Sequence, residues 1–140
     1  MIRIIIWARP FSRYLLVAWT LTIITVSSIP SLPTLKIHTA NSEFRLDYVF
    51  HFCEYGLLAF LGFLSFAGDE FRPGFRKFII ITVYLLAFAV LDEFHQKLIP
   101  GRSFNHKDIW SNITGILTAM LFCMALFRTM AEKSGKIHQG

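Results

Sequence analysis

Charge is missing from long stretches of this 140-residue chain. No Asp, Glu, Lys, Arg or His occurs between Tyr14 and Ile29, between Phe78 and Leu91, or between Ile109 and Phe127. A soluble domain of this length disperses its apolar residues in amphipathic patterns and is about 45–50% apolar. Here the apolar share is 54%, with 15 Phe, and it comes in blocks. Cysteine is scarce too. Cys53 and Cys123 are the two present, and both fall inside apolar blocks, which suits packing and excludes a disulfide framework. There is no H-E-x-x-H, no Cys ligand set, no internal repeat, no low-complexity tract and no linker. One domain over residues 1–140 is the natural reading.

What is present is a set of four blocks near the length that crosses a bilayer, roughly 20 residues each. They predict an all-α fold, an integral membrane bundle of four transmembrane helices at about 12–29, 49–67, 76–98 and 109–127, joined by short loops. Arg3, Arg9 and Arg13 ahead of the first block, with "SSIPS" after it, also fit a secretory signal peptide. The block is long for that and the small residues are poorly placed for cleavage, which favours a retained signal anchor.

The net charge of +5 has a topological explanation. Arg3, Arg9, Arg13, Arg72, Arg76, Lys77, Arg128, Lys133 and Lys136 lie on the N-terminal arm, the second connection and the tail. Lys36, Arg45, Lys97, Arg102 and Lys107 lie on the first and third connections. The richer side is cytoplasmic by the positive-inside rule, which puts both termini in the cytoplasm and the first and third connections outside. The bases flank the spans rather than forming a patch, so the expected partner is the lipid bilayer and no nucleic acid is called for. A bundle this small would suit a homodimer, although no single interface stands out.

That topology gathers the polar residues of three spans at the outward end. The second span brings Asp47, His51, Glu54 and Tyr55 on one helix face. The third brings Asp92, His95 and Gln96, with Glu93 about 100° away. The fourth brings Asp108, Ser111, Asn112 and Gly115. A carboxylate facing lipid costs on the order of 3 kcal/mol, so the three stripes should face each other. Pro100-Gly101 suits a type II turn that would swing Arg102 back over Asp92, Glu93 and Asp108. Arg stays charged and bridges carboxylates or phosphates bidentately.

Several of these residues also have plain structural readings. Asn105 can cap the fourth helix with Asp108 in its first turn, and Asp47 can cap the second. Gly115 suits a close helix crossing, Asn112 a hydrogen bond across it, and Tyr55 the core. The adjacent acids Asp92 and Glu93 are harder to explain this way, because the C-terminal end of a helix disfavours negative charge. His51, Glu54, Asp92, Glu93, His95 and Asp108 offer ligands for a divalent metal, though no spacing is specific for one, and no cofactor is required. Ser103 and Ser111 have histidines in the vicinity but no triad order.

These residues carry a family resemblance. "DEFHQKLIPGRSFNHKDIWSNITG" resembles the signature of the VanZ-like membrane proteins, roughly D-E-x-x-Q, a Pro-Gly-Arg turn, then D-x-x-x-N-x-x-G. Asp92, Glu93, Gln96, Pro100, Gly101, Arg102, Asp108, Asn112 and Gly115 stand at those places, and Asp47, His51 and Tyr55 match an earlier Asp-His-Tyr motif. The likeness covers most of residues 15 to 125. It implies a small bacterial integral membrane protein, of a family named for a member linked to low-level teicoplanin resistance. It implies a fold and a location rather than a reaction.

Three readings of function follow. The first is an outward-facing polar site, built from Asp47, His51, Tyr55, Asp92, Glu93, Gln96, Arg102, Asp108 and Asn112, that binds a cell-envelope component. An anionic headgroup or a lipid-linked envelope precursor would suit Arg102. The second is a membrane hydrolase or transferase with His51, Asp92 and Glu93 as acid–base groups or metal ligands. The third is a structural or partner-binding protein whose polar network holds the helices in register.

Overall fold

The computed structural model describes residues 9–31, 36–39, 42–66, 74–102 and 104–137. Arg3, Arg72 and Ser103 lie outside the described residues. Four helices carry the fold: α1, Ser12–Ser27; α2, Asp47–Phe66; α3, Phe75–Lys97; and α4, His106–Ile137. A 3-10 turn at Arg9–Phe11 leads into α1. The first connection is not the short loop expected. It contains an antiparallel hairpin, β1 (Lys36–Thr39) with β2 (Ser42–Arg45), in the register Lys36 to Arg45 and Thr39 to Ser42.

Three helices are long and apolar enough to cross a membrane: Asp47–Phe66, Phe75–Lys97 and His106–Thr129. The 16 residues of α1 reach about 24 Å at 1.5 Å each, short of a ~30 Å hydrocarbon core. The fourth helix continues well past the expected end at 127. Hydropathy marks where apolar side chains stop, whereas Met, Ala, Glu and Lys in the tail still favour helix.

The helices bury one core and expose the rest of their apolar surface. Ile23, Tyr55, Leu58, Ala59, Phe63, Leu64, Leu85, Ala89, Ile116, Met120 and Phe127 form the core, and Phe63 stacks on Phe127 with ring centroids 5.2 Å apart. Outside it, Phe50, Tyr84, Leu91, Phe94, Trp110 and Leu121 are more than half exposed. An apolar patch of this extent on a monomer belongs against lipid. The chain is a multi-pass membrane protein. Both cysteines are free, Cys123 in the core and Cys53 on the exposed surface.

Two features set the geometry of the end where the polar residues gather. The first is a crossing of α2 and α4. A Cβ on Gly115 would collide with the carbonyl oxygen of Phe52 and lie 3.0–3.1 Å from its backbone carbons, so glycine lets the two helices touch. The second is a pair of matched stops. Helix α1 ends before Ile29-Pro30 and α3 before Ile99-Pro100, because proline cannot continue a helix. The two stops abut, with the Ser31 N–H donating to the Pro100 carbonyl at 3.2 Å. Gly101 takes φ 77 and Arg102 N donates to Ile99 O at 3.1 Å, closing the β-turn foreseen at Pro100-Gly101. A side chain on Gly101 would collide with Ser31.

Candidate functional site

The polar stripes of α2, α3 and α4 do meet, and α1 joins them through a residue the sequence reading passed over. Asp92 is buried, and its Oδ2 accepts three hydrogen bonds: from Tyr55 Oη at 2.8 Å, Ser27 Oγ at 2.9 Å and Gln96 Nε2 at 3.0 Å. Those donors sit on α2, α1 and α3. One carboxylate oxygen therefore ties three helices together. The neighbouring Ser28 Oγ gives its proton to Ile24 O at 2.7 Å, so at 3.0 Å from His95 Nε2 it must accept, which makes Nε2 the protonated ring nitrogen. Ser27 was legible only as the last polar residue of an apolar helix, a weak signal without a partner in view.

Glu93 resolves differently. It is completely buried, and its Oε1 accepts the backbone N–H of Asn105 at 2.9 Å. Asn105 is the N-cap of α4, as its sequence position predicted: its Oδ1 accepts from Lys107 N at 3.1 Å, and its Nδ2 donates to Asp108 Oδ1 at 3.0 Å. The dipole problem posed by an acid at the end of α3 thus disappears. Glu93 lies at the positive, N-terminal end of α4, where a carboxylate is favoured. Asp108, in the first turn of α4, reaches across to His51 on α2, with Oδ2 3.9 Å from Nε2. Asn112, one turn further along α4, is fully buried.

One residue does not behave as expected. Arg102 makes no ion pair with Asp92, Glu93 or Asp108; its Nη2 donates to the Val26 carbonyl at the end of α1, 2.8 Å away. The turn that carries it docks on Ser31 rather than folding over the acids, and that docking carries Arg102 toward α1. Asp47 sits at the rim, bonded by Arg45 Nη2 at 2.9 Å and Nε at 3.3 Å. The Asp47 carboxylate holds the Arg45 guanidinium above its ordinary pKa, and Arg45 also lies over the Tyr48 ring.

Polar satisfaction divides the group. Among the described residues, five buried polar atoms make no hydrogen bond: His51 Nδ1, Glu93 Oε2, Arg102 Nε, and both Nδ2 and Oδ1 of Asn112. Each such atom costs about 1–3 kcal/mol if left dry, on the order of 5–15 kcal/mol together, which is the size of a whole domain's net stability. They are therefore groups that polar partners must satisfy. Two carry acceptors or donors on α3 and α4, one a ring nitrogen on α2, and one a guanidinium at the rim. As for metals, no three His, Cys, Asp or Glu side chains gather closely enough to hold an ion among the described residues.

Comparison with known proteins supplies the family. No curated protein and no solved structure matches the chain. The VanZ/LLP1 family model matches residues 7–128, a stretch that includes all three polar stripes and the Pro100-Gly101 turn. With the signature residues converging as described, the chain belongs to the VanZ/LLP1 family.

Proposed function

We propose that this protein is a four-span protein of the bacterial cytoplasmic membrane, with both termini in the cytoplasm, whose outward end binds the head of a lipid-linked envelope component. Helix α1 completes the fourth span by drawing the bilayer in locally, with Arg9 and Arg13 reaching the interface. The observation that carries the binding reading is the set of five unpartnered buried atoms on His51, Glu93, Arg102 and Asn112. Their chemistry is mixed. Asn112 offers a donor and an acceptor, Glu93 an acceptor, His51 a ring nitrogen and Arg102 a donor.

That set suits a saccharide or amide head inside the helix bundle and a phosphate at Arg102 on the rim. A bare anion deep in the site would meet Glu93 and Asp108 and be repelled. An anionic headgroup therefore fits at Arg102 and not between the helices. Tolerance to a glycopeptide such as teicoplanin would follow if sequestering such a lipid alters what the antibiotic reaches.

The enzyme reading has less support. Asp92 is occupied by three donors, which leaves His51 with Asp108 as the remaining acid–base pair.

Replacing Asn112 by Leu tests the proposal directly. The variant should insert and accumulate normally, while binding of a polyprenyl-phosphate-linked saccharide falls at least about tenfold, the equivalent of ~1.4 kcal/mol. Unchanged binding in a folded Asn112→Leu protein would reject the site.

A further inference from the structure

The end of the bundle opposite the polar site holds a groove of about 1380 Å³ between α1 and α3. Helix α2 forms its floor through Leu58, Gly62 and Leu64, and Leu16, Ile81 and Leu85 line its apolar sides. Its volume exceeds the ~300–1,000 Å³ usual for small-molecule pockets. Arg13 and Lys77 mark its rim, one in the first turn of each flanking helix, with Arg9 beside them. From this rim the groove runs to Thr20 on α1 and Tyr84 on α3, seven residues along each helix, or about 10 Å. The lining contains cations and no acid among the described residues. The outward end is the reverse, with Asp92, Glu93 and Asp108 all buried.

We propose that this groove is a binding site for an anionic glycerophospholipid, its phosphate headgroup at Arg13 and Lys77 and the upper part of one acyl chain between α1 and α3. Two observations select this occupant. The floor helix α2 and the wall helix α3 are long and apolar enough to span the membrane, so the groove they form with α1 opens toward hydrocarbon, and an acyl chain matches its apolar sides. The rim lies where the spans end, at headgroup level, and the positive charge of Arg13 and Lys77, with no acid among the described residues lining the groove, matches an anionic head better than a zwitterionic one. Arg13 is held only by a long 3.5 Å bond from Nε to the Ser65 carbonyl, so its guanidinium is placed at the rim without being consumed by an ion pair. The lipid would also fill the space between α1 and α3 at this end, away from their contacts at Ser27, Ser28 and Ser31. This site is independent of the polar site at the other end.

The test uses the full chain reconstituted in phosphatidylcholine bilayers, with trace spin-labelled phosphatidylglycerol or spin-labelled phosphatidylcholine. The motionally restricted fraction of each label reports its association. The wild-type protein should prefer phosphatidylglycerol several-fold. Arg13→Gln and Lys77→Gln should each lower that preference by up to about fivefold, from the electrostatic contribution of one basic side chain near a membrane surface. Thr20→Phe fills the groove with its cations intact and should also lower it; Thr20 bonds only to Leu16 O of its own helix, so no interhelical bond is lost. Arg128→Gln removes a cation at the same end but outside the groove lining and should leave the preference unchanged. Equal association of the two lipids with the wild-type protein would overturn the proposal. So would a preference that Arg128→Gln lowers as much as Arg13→Gln, or one that Thr20→Phe leaves intact, since either means surface charge alone.

Discussion

Asp92 and Glu93 are neighbours in sequence and equally buried, yet they belong to two different regions. Asp92 sits where α1, α2 and α3 converge and accepts from Ser27, Tyr55 and Gln96. Glu93, turned about 100° around α3, faces α4 and uses one oxygen on the Asn105 N–H while the other has no partner among the described residues. The same division holds for the residues around them. Among the described residues, the Asp92 region has no fully buried polar atom without a hydrogen bond, whereas the region of Glu93, His51 and Asn112 has four. A saturated polar network rigidifies a bundle, whereas an unsaturated one stores recognition capacity at the expense of stability. The structural reading thus fits Asp92, while the proposed ligand-binding reading rests on Glu93 and its neighbours.

The largest effect that could break this comparison is on Asp92. Asp92→Ala strands three donors from three helices. At ~0.6 kcal/mol on average and up to ~1.7 for polar contacts in membrane bundles, the loss should be about 2–5 kcal/mol. Thermal unfolding in detergent should show it, together with reduced accumulation. Full stability in this variant would remove Asp92 as the anchor.

Next in size, Gly115→Ala forces α4 away from the Phe52 carbonyl and should cost about 1–3 kcal/mol as overpacking. Gly56→Ala meets Gly115 at an ordinary 3.5 Å and should cost less, so the pair isolates the crossing that brings Asn112 to α2. Asn112→Leu moves stability the other way or not at all, because it replaces two unpartnered atoms by an apolar side chain. A loss as large as that of Asp92→Ala would erase the distinction between the two regions.

The smallest effect belongs to the rim. Arg45 and Asp47 are partly exposed, and exposed pairs contribute about 0.2–1 kcal/mol. Arg45→Gln should shift the unfolding midpoint only slightly and more at low salt than at high salt.

Much of this was legible in the order of residues. Three apolar blocks of bilayer length, the Asn105 cap, the glycine at the Pro100-Gly101 turn and the glycine crossing at Gly115 all follow from local rules of hydropathy, capping and steric access. The hairpin at Lys36–Arg45 escaped because a two-stranded ribbon is marginal by itself and leaves a weak pattern. Arg102 was misjudged for a different reason. Its direction depends on where the turn docks, and the turn docks on Ser31, which lies about 70 residues earlier. Repeated Ile-Pro stops at 29–30 and 99–100 were the available hint.

The sequence by itself determined the helical membrane fold, the family and the end of the bundle where the polar residues gather, because hydropathy, periodicity and capping act over a few turns of chain. Only the tertiary structure decided which acid gathers three donors and which keeps a fully buried oxygen without one among the described residues. That outcome depends on rotation of each helix about its axis and on partners such as Ser27 and Asn105 that come from other elements. A helix of one sequence presents every face; packing alone chooses which face meets which donor.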